Sequence, residues 1–297
     1  MKVVVVTNTR EVNSLIPQVK FDLIKATLAP IEVQIMFVEN EEDFQLLDKI
    51  SQNDIVLVET KDAETIHQIA IRGLRHTGEV PAAVNFDSNK VDLRKAVAGK
   101  IPMPGLYVSL DEVEDGKRYF VKPLILEDSI GIDEHSLCHS KAEVVERVKY
   151  INEKFGKPAI IEDFIEGYDV TVGIINRGDS FIVKAVRIDS LLEGVPFQSE
   201  QVKTEDLRDF YDMDELNPKL SEMLKNMAIG AFLSIGATNY ARLDFRVTEA
   251  GQPYLIEVNL YPGLKDTGAM YRAIKFTGIP YRDYLYEVLN TARRRLI

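Results

Sequence analysis

The stretch from Arg242 to Gly263, RLDFRVTEAGQPYLIEVNLYPG, constrains this chain more than any other. Apolar and polar residues alternate on both sides of Glu249-Ala250-Gly251-Gln252. Alternation around a Gly-containing turn predicts a β-hairpin. With the turn centred between Ala250 and Gly251, Asp244 falls opposite Glu257 and Arg242 opposite Asn259. Side chains alternate across a strand, so these four share one face. The other face is expected to carry Leu243, Phe245, Val247, Tyr254, Ile256 and Val258 into a core. One face packs; the other gathers two carboxylates, an amide and a guanidinium.

Such a polar face suits a hard cation and phosphate. Mg²⁺ takes oxygen ligands at about 2.0–2.1 Å and shares its shell with substrate phosphates. Directly opposed residues have Cβ atoms roughly 5 Å apart, close enough for Asp244 and Glu257 to share a metal. Asn259 adds a carbonyl oxygen one pleat away. Two acids and an amide can hold a metal pair about 3.5–4 Å apart. The competing reading is a salt-bridged outer face, with Arg242 and Arg246 paired to Asp244 and Glu257. The hairpin alone does not separate the two.

The chain has 297 residues, which suits two or three small domains or one α/β unit with lobes. Its formal net charge of −11 argues against a nucleic-acid partner, which normally leaves a basic footprint. Cys138 is the only cysteine, so no intrachain disulfide forms, as fits a reducing cytosol. The apolar run after Lys2 is too short for a signal-peptide core, and no run reaches membrane-spanning length. A cytoplasmic protein with no membrane partner is expected.

Lys2–Val6, Ile31–Val38 and Asp54–Val58 read as strands. Helical patterns lie at Leu15–Leu28, at Glu41–Ile50 behind an Asn40 cap, and at Ala63–Arg75 behind Asp62. This alternation predicts a parallel α/β domain ending near Asn85. Thr7-Asn8-Thr9 follows the first strand without glycine, so a dinucleotide-binding fingerprint is absent. Phe86–Pro104 reads as a short helix closed by Gly99, made locally basic by Lys90, Arg94, Lys95 and Lys100; a solvated helix face is the alternative.

Phe120-Val121 should end a strand that delivers Lys122 toward a cleft, with Asp128-Ser129-Ile130-Gly131 as a loop over a phosphate. His135 and His139 could meet on a metal only if a helix brought them to one face, and no carboxylate ligand is well placed, so a surface loop is expected. Lys141–Phe155 has helical spacing. In Pro158–Ile175, a buried strand leads through Glu162-Asp163-Phe164-Ile165 and a Glu-Gly turn into a second strand. The backbone of such a segment can hold an adenine, with Asp169 beside a ribose; the alternative is an edge strand with acids facing water. Phe181–Ile188 is another strand, and Ser190–Asp206 is expected to be a mobile loop with few core residues. Helices are expected at Leu216–Leu233, Asp266–Phe276 and Tyr281–Arg295.

A strand lysine before a loop, an E-D-F-I segment with a following acid, and D…E-x-N before P-G occur in one order. In this combination the chain resembles the ATP-grasp superfamily. More closely, over roughly Lys90–Leu289, it is similar to the D-alanine–D-alanine ligase group of carboxylate–amine ligases. The resemblance implies an α/β protein with α+β lobes: an ATP-grasp fold behind an N-terminal parallel α/β domain. The implied domains are residues 1–85, 86–165 and 166–297, with ATP between the last two. It places Lys122 on the α/β-phosphates, with Ser129 and Gly131 in the covering loop. Glu162, Phe164, Ile165 and Asp169 match the adenine and ribose segment. Asp244, Glu257 and Asn259 match the ligands of two Mg²⁺ ions, for which Mn²⁺ can stand in. Arg242 matches the arginine at the reacting carboxylate, and Lys203 the loop lysine that reaches the γ-phosphate. Arg94 is nearest to a further phosphate lysine, with Lys90 and Lys95 as alternatives.

Both amino-acid contacts depart from the family pattern. The Gly-rich first loop is replaced by Thr7-Asn8-Thr9-Arg10-Glu11, which puts Thr9 and Glu11 at the first substrate. The serine beyond P-G falls near Gly268, with Thr267 beside it. The phosphate loop has Glu127-Asp128 where the family has Gly-Ser. The resemblance implies a ligase that activates a small-molecule carboxylate with ATP as an acyl phosphate, joins it to an amine, and works as a homodimer. The second class is an ATP-grasp protein that binds ATP as a regulatory module and has lost catalysis. Asp128 favours that class; the intact Asp244, Glu257, Asn259 and Arg242 set favours the ligase.

Overall fold

The computed structural model describes residues 1–8, 17–79, 90–124 and 129–294. Its first sheet is parallel, with β1 (Val3–Thr7) between β2 (Val33–Phe37) and β3 (Ile55–Val58). The valines of β1 are buried on both faces, as a central parallel strand requires. Helix α1 (Pro17–Leu28) and a 3₁₀ helix at Glu41–Lys49 connect these strands, and α2 (Ala63–Ile71) follows β3. The side chains of Asn40 and Asp62 cap the last two, accepting from the backbone N–H groups of Glu42 and Thr65. The pattern expected to Arg75 stops at Ile71, because the chain turns back and the Arg75 carbonyl accepts from the Val56 N–H. The expected boundary at residues 85 and 86 lies outside the described residues.

Helix α3 (Lys90–Val97) leads into an antiparallel sheet ordered β4-β7-β5-β6. Its strands are β4 (Leu106–Tyr107), β5 (Tyr119–Pro123), β6 (Leu137–Cys138) and β7 (Ala159–Asp163). Helix α4 (Lys141–Phe155) covers it, capped by Ser140 and closed by Gly156 at φ +61°. It packs Val144 and Ile151 with Tyr119 and Val121.

The third sheet is antiparallel, ordered β10-β9-β8-β11-β12. It contains β8 (Tyr168–Asn176), β9 (Phe181–Ser190), β10 (Arg208–Asp212), β11 (Tyr240–Val247) and β12 (Pro253–Asn259). Gly167 enters it at φ +146°, where a Cβ would sit 1.9 Å from the Val247 carbonyl oxygen. The short helices α5 (Glu200–Thr204) and α6 (Met213–Leu216) flank β10. Helix α7 (Pro218–Ser234) buries Leu224, Ala228 and Phe232 against Val172, Leu243 and Phe245. On β8, a Cβ at Gly173 would lie 3.0 Å from the Met270 sulfur, so α8 (Ala269–Lys275) packs directly on the backbone there. The last helix, α9 (Tyr281–Arg294), returns to the first sheet, joining Tyr284, Leu285 and Val288 to Val3, Val5 and Leu57.

The first sheet is also tied to the start of β11. The buried Glu79 carboxylate accepts from the backbone N–H groups of Thr238 (2.8 Å) and Asn239 (2.7 Å). The Tyr261 hydroxyl donates to the Glu79 carbonyl at 2.9 Å. The hairpin is therefore held at both ends by the first sheet's connection.

The segment 190–206 is not poor in core residues: Val195, Phe197 and Val202 are buried, and it contains α5. These apolar residues are spaced singly, without a period, so no helix or strand pattern announced them. Phe197 meets the Phe120 ring edge-on at 5.0 Å. The Ser129 hydroxyl donates to the Gln198 carbonyl at 2.9 Å, and the Glu200 N–H to the Ile132 carbonyl at 3.0 Å. His135 and His139 are exposed, and among the described residues no group of three or more His, Cys, Asp and Glu is placed to hold a metal. No helix among them is long and apolar enough to cross a membrane.

Candidate active site

The hairpin pairs as its alternation predicts over the half nearest the strand ends: Arg242 with Asn259, Leu243 with Val258, Asp244 with Glu257. Between Asp244 and Phe245 the register shifts by one residue, and Phe245 pairs with Leu255. Ile256 is the extra residue of this β-bulge. Leu255 takes the core position (0% exposed), while Tyr254 and Ile256, expected in the core, are only half-buried. Ile256 instead lines a cleft. A bulge re-aims side chains in this way, commonly beside functional sites.

The cleft has a volume of about 630 Å³ and draws on all three sheets. Glu59, Thr60 and Lys61 come from the end of β3, Lys122 and Glu162 from the second sheet, and Asp169, Arg242, Asp244 and Glu257 from the third. One end is apolar, with Phe120, Phe164, Phe197 and Ile188; the other is charged. This division suits a ligand with a flat apolar part and an anionic part.

At the charged end, Arg242 donates to both oxygens of Asp244 through Nε (3.0 and 3.2 Å) and to Oδ2 through Nη2 (2.8 Å). Asp244 also accepts from Thr171 Oγ1 at 2.5 Å and from Asn259 Nδ2 at 3.1 Å. Half of the salt-bridged alternative is thus realised. The other half is not, because Arg246 pairs with Asp169 at 2.8 Å and not with Glu257. Arg246 also donates to the carbonyls of Ile165 (3.0 Å) and Pro196 (2.7 Å), binding the 164–169 segment to the 190–206 segment.

Glu257 is surrounded by cations. Burial pushes its carboxyl up, but the positive charges of Lys90, Lys203, Arg242 and Lys61 outweigh burial and hold it at about 2. It is therefore ionised at any ordinary pH. Two carboxylates and an amide oxygen on one strand pair form an all-oxygen donor set, which fits a hard divalent cation whose shell is completed by phosphate.

Lys122 is buried, with Nζ 2.5 Å from Glu162 Oε2. Arg94 donates to the other Glu162 oxygen at 2.6 Å and to the Pro104 carbonyl at 2.5 Å. Burial opposes ionisation of Glu162, yet Lys122 and then Arg94 shift its carboxyl down. Glu162 thus holds Lys122 in the cleft wall. Arg94 does not line the cleft, whereas Lys90, one helical turn earlier, does. Lys95 is exposed and paired with Asp92.

Phe164 stacks near Phe120 (6.3 Å between centroids) and carries the Arg246 guanidinium 5.6 Å over its ring. Ile165 lines the cleft beside it. Burial raises the Asp169 carboxyl, opposed by its pairing with Arg246. Ser129 lines the cleft at φ +62°; Gly131 does not, and its N–H donates to Glu200 at 3.2 Å. A Cβ on Gly131 would press on Pro123 and Phe155, so this glycine serves packing under the loop. Lys203, Thr267 and Gly268 line the charged end. Asn259 lies behind the cleft surface, reaching it through Asp244. Thr9, Glu11, Glu127 and Asp128 lie outside the described residues.

The sequence alone pointed to neither Lys61 nor Arg208 in the cleft, gave Arg246 only to a salt-bridged face, and put Ile256 in the core. Lys61 had a usable signal, since it follows the carboxyl end of a parallel strand, where α/β sheets place their ligands. Ile256 had none.

Residues 111–290 match the family model described as D-ala D-ala ligase C-terminus. D-alanine–D-alanine ligase B of Chromobacterium violaceum is 27% identical over 229 residues, covering 74% of this chain and 72% of the relative. In structure, the chain is similar to D-alanine–D-alanine ligase from Bacillus anthracis complexed with ATP: TM-score 0.76, 18% identity, 99% of this chain and 97% of the other covered. It is also similar to the VanG D-Ala:D-Ser ligase from Enterococcus faecalis: TM-score 0.73, 16% identity, 98% and 99% covered. At these identities the structural likeness speaks for the fold, which is that of ATP-grasp ligases behind a parallel α/β region.

Proposed function

Since the chain belongs to the family of the D-ala D-ala ligase C-terminus, we propose that it is an ATP-dependent ligase joining a small-molecule carboxylate to an amine through an acyl phosphate. The observation that carries this reading is the ionised Glu257 beside Asp244 and Asn259, ringed by Lys90, Lys203, Arg242 and Lys61. A surface salt bridge has no need of so many cations around one half-buried carboxylate. A triphosphate does.

In this reading the base of ATP lies between Phe164, Ile165 and the apolar end, with Asp169 near the ribose. Lys122, fixed by Glu162, and Lys90 face the phosphates, so Lys90 replaces Arg94 as the further phosphate cation. Lys203 reaches the γ-phosphate from the segment that covers the cleft. Asp244, Glu257 and Asn259 would hold Mg²⁺, which when bound neutralises phosphate charge and polarises the transferring group.

A carboxylate oxygen attacks the γ-phosphorus and the bond to ADP breaks. The amine nitrogen then attacks the acyl carbon, phosphate leaves, and the nitrogen gives up a proton. Charge gathers on the carboxyl oxygen in the tetrahedral state, where Arg242 stabilises it. No side-chain nucleophile is needed; the protein positions its substrates and balances charge. Small-molecule substrates and a cytoplasmic setting with ATP at hand accord with this chemistry.

Purified protein with ATP and Mg²⁺ should release ADP and phosphate only when a suitable carboxylate and amine are both present. Screening amino acids in pairs, with mass detection of the joined product, checks this. ADP release that ignores both partners would count against ligation.

A further inference from the structure

The end of the cleft near Arg242 holds more positive charge than the proposed reaction uses. Arg208, at the start of β10, lines the cleft with Asp206, Thr267 and Gly268. Its side chain is 11% exposed, and its Nε and Nη2 both donate to Asp206 Oδ1, at 3.1 and 2.6 Å. The other oxygen of Asp206 accepts from Nη2 of Arg272, on α8. Both guanidinium groups lie over the Phe210 ring, 5.6 and 4.8 Å from its centroid. Two positive charges thus share one carboxylate. Burial lowers the Arg208 pKa, and the charges of Arg272 and Arg242 press it in the same direction, against the pull of Asp206.

A structural ion pair would be satisfied by one guanidinium. Here a second is added at a desolvation cost, and Arg208 Nη1 has no hydrogen-bond partner among the described residues. With Nε and Nη2 engaged by Asp206, Arg208 still presents Nη1 at the cleft wall, where it can donate a charge-assisted hydrogen bond to a carboxylate oxygen. With Arg208 already held by Asp206, little ordering cost remains.

We propose that Arg208, braced by Asp206 and backed by Arg272 behind the cleft wall, recognises a side-chain carboxylate of the amine substrate, so that the preferred amine is an amino acid with an acidic side chain. The inference rests on the ligase reading of the cleft. Thr267 and Gly268, alongside, remain for the main-chain carboxylate.

The test is calorimetric titration of glutamate, aspartate and alanine, each as both enantiomers, into protein holding Mg²⁺ and the non-hydrolysable analogue AMPPNP. An acidic amino acid should bind about tenfold or more tightly than alanine. Arg208→Gln should remove that advantage while leaving AMPPNP and alanine affinities unchanged. Arg208→Lys and Arg272→Gln, which alter the cluster separately, cover the case where Arg208→Gln does not fold. Alanine binding as tightly as both acidic amino acids would overturn the proposal. So would an acidic preference that survives in every folded variant. If AMPPNP itself does not bind, the ligase reading fails. The same titrations without nucleotide then decide the subsite alone: a preference lost in Arg208→Gln supports it, and no preference overturns it.

Discussion

Glu257→Gln should lower ADP release by about 100-fold or more, a loss typical of removing a charged group from a preorganised electrostatic site. The substitution keeps size and strand pairing while deleting the negative charge opposite Asp244. Lys90, Lys203, Arg242 and Lys61 would then face one another without the anion that draws them together. The loss should appear in kcat, with a raised Mg²⁺ requirement, in protein of unchanged circular dichroism. Acid stability supplies an independent readout. The Glu257 carboxyl is depressed from 4.5 to about 2, so its contribution to stability is present above 4.5 and lost as pH falls toward 2. Over that window the wild type should lose melting temperature relative to Glu257→Gln. Wild-type turnover in the variant would remove the metal assignment.

Arg242→Met should cost about 10²–10³-fold in kcat, the range seen when a donor to a developing oxyanion is removed. Arg242 lies between the two roles open to it. It donates to both oxygens of Asp244, which could make it a brace, and it lines the charged end of the cleft, which could bring it to the substrate. The split between kcat and KM separates these. A group acting in the transition state lowers kcat and kcat/KM together. A brace for the metal ligand should instead raise the KM for MgATP and be rescued by excess Mg²⁺. Arg242→Lys, which keeps charge but not the fork, should recover only part of the activity.

Much of this site could be read from the chain before any coordinates, and the reasons are local. Asp244 faces Glu257 because a Gly-containing turn and strict alternation settle the register over a few residues. Strand ends and caps such as Asn40 and Asp62 likewise depend on neighbours within one turn. The bulge at Ile256 escaped because Leu255 and Ile256 are both apolar, so alternation cannot say which of them faces the core; the Leu255 N–H bond to the Pro102 carbonyl and the burial of Leu255 decide it. Lys90 and Arg94 share a face with the buried Leu93 and Val97, so periodicity excludes Lys95 but cannot choose between the other two. That choice is made by Glu162, sixty-eight positions away from Arg94, which draws Arg94 into the wall and leaves the cleft to Lys90. The segment 190–206 was misjudged for the same reason: Phe197 is buried against a ring from another sheet.

The proposed acyl phosphate is tested most directly by following oxygen. With the substrate carboxylate labelled with ¹⁸O, attack on the γ-phosphorus carries one labelled oxygen into the phosphate released when the amine attacks. Mass analysis should therefore find one ¹⁸O in the inorganic phosphate for each amide bond formed. Joined product accompanied by unlabelled phosphate would contradict the account.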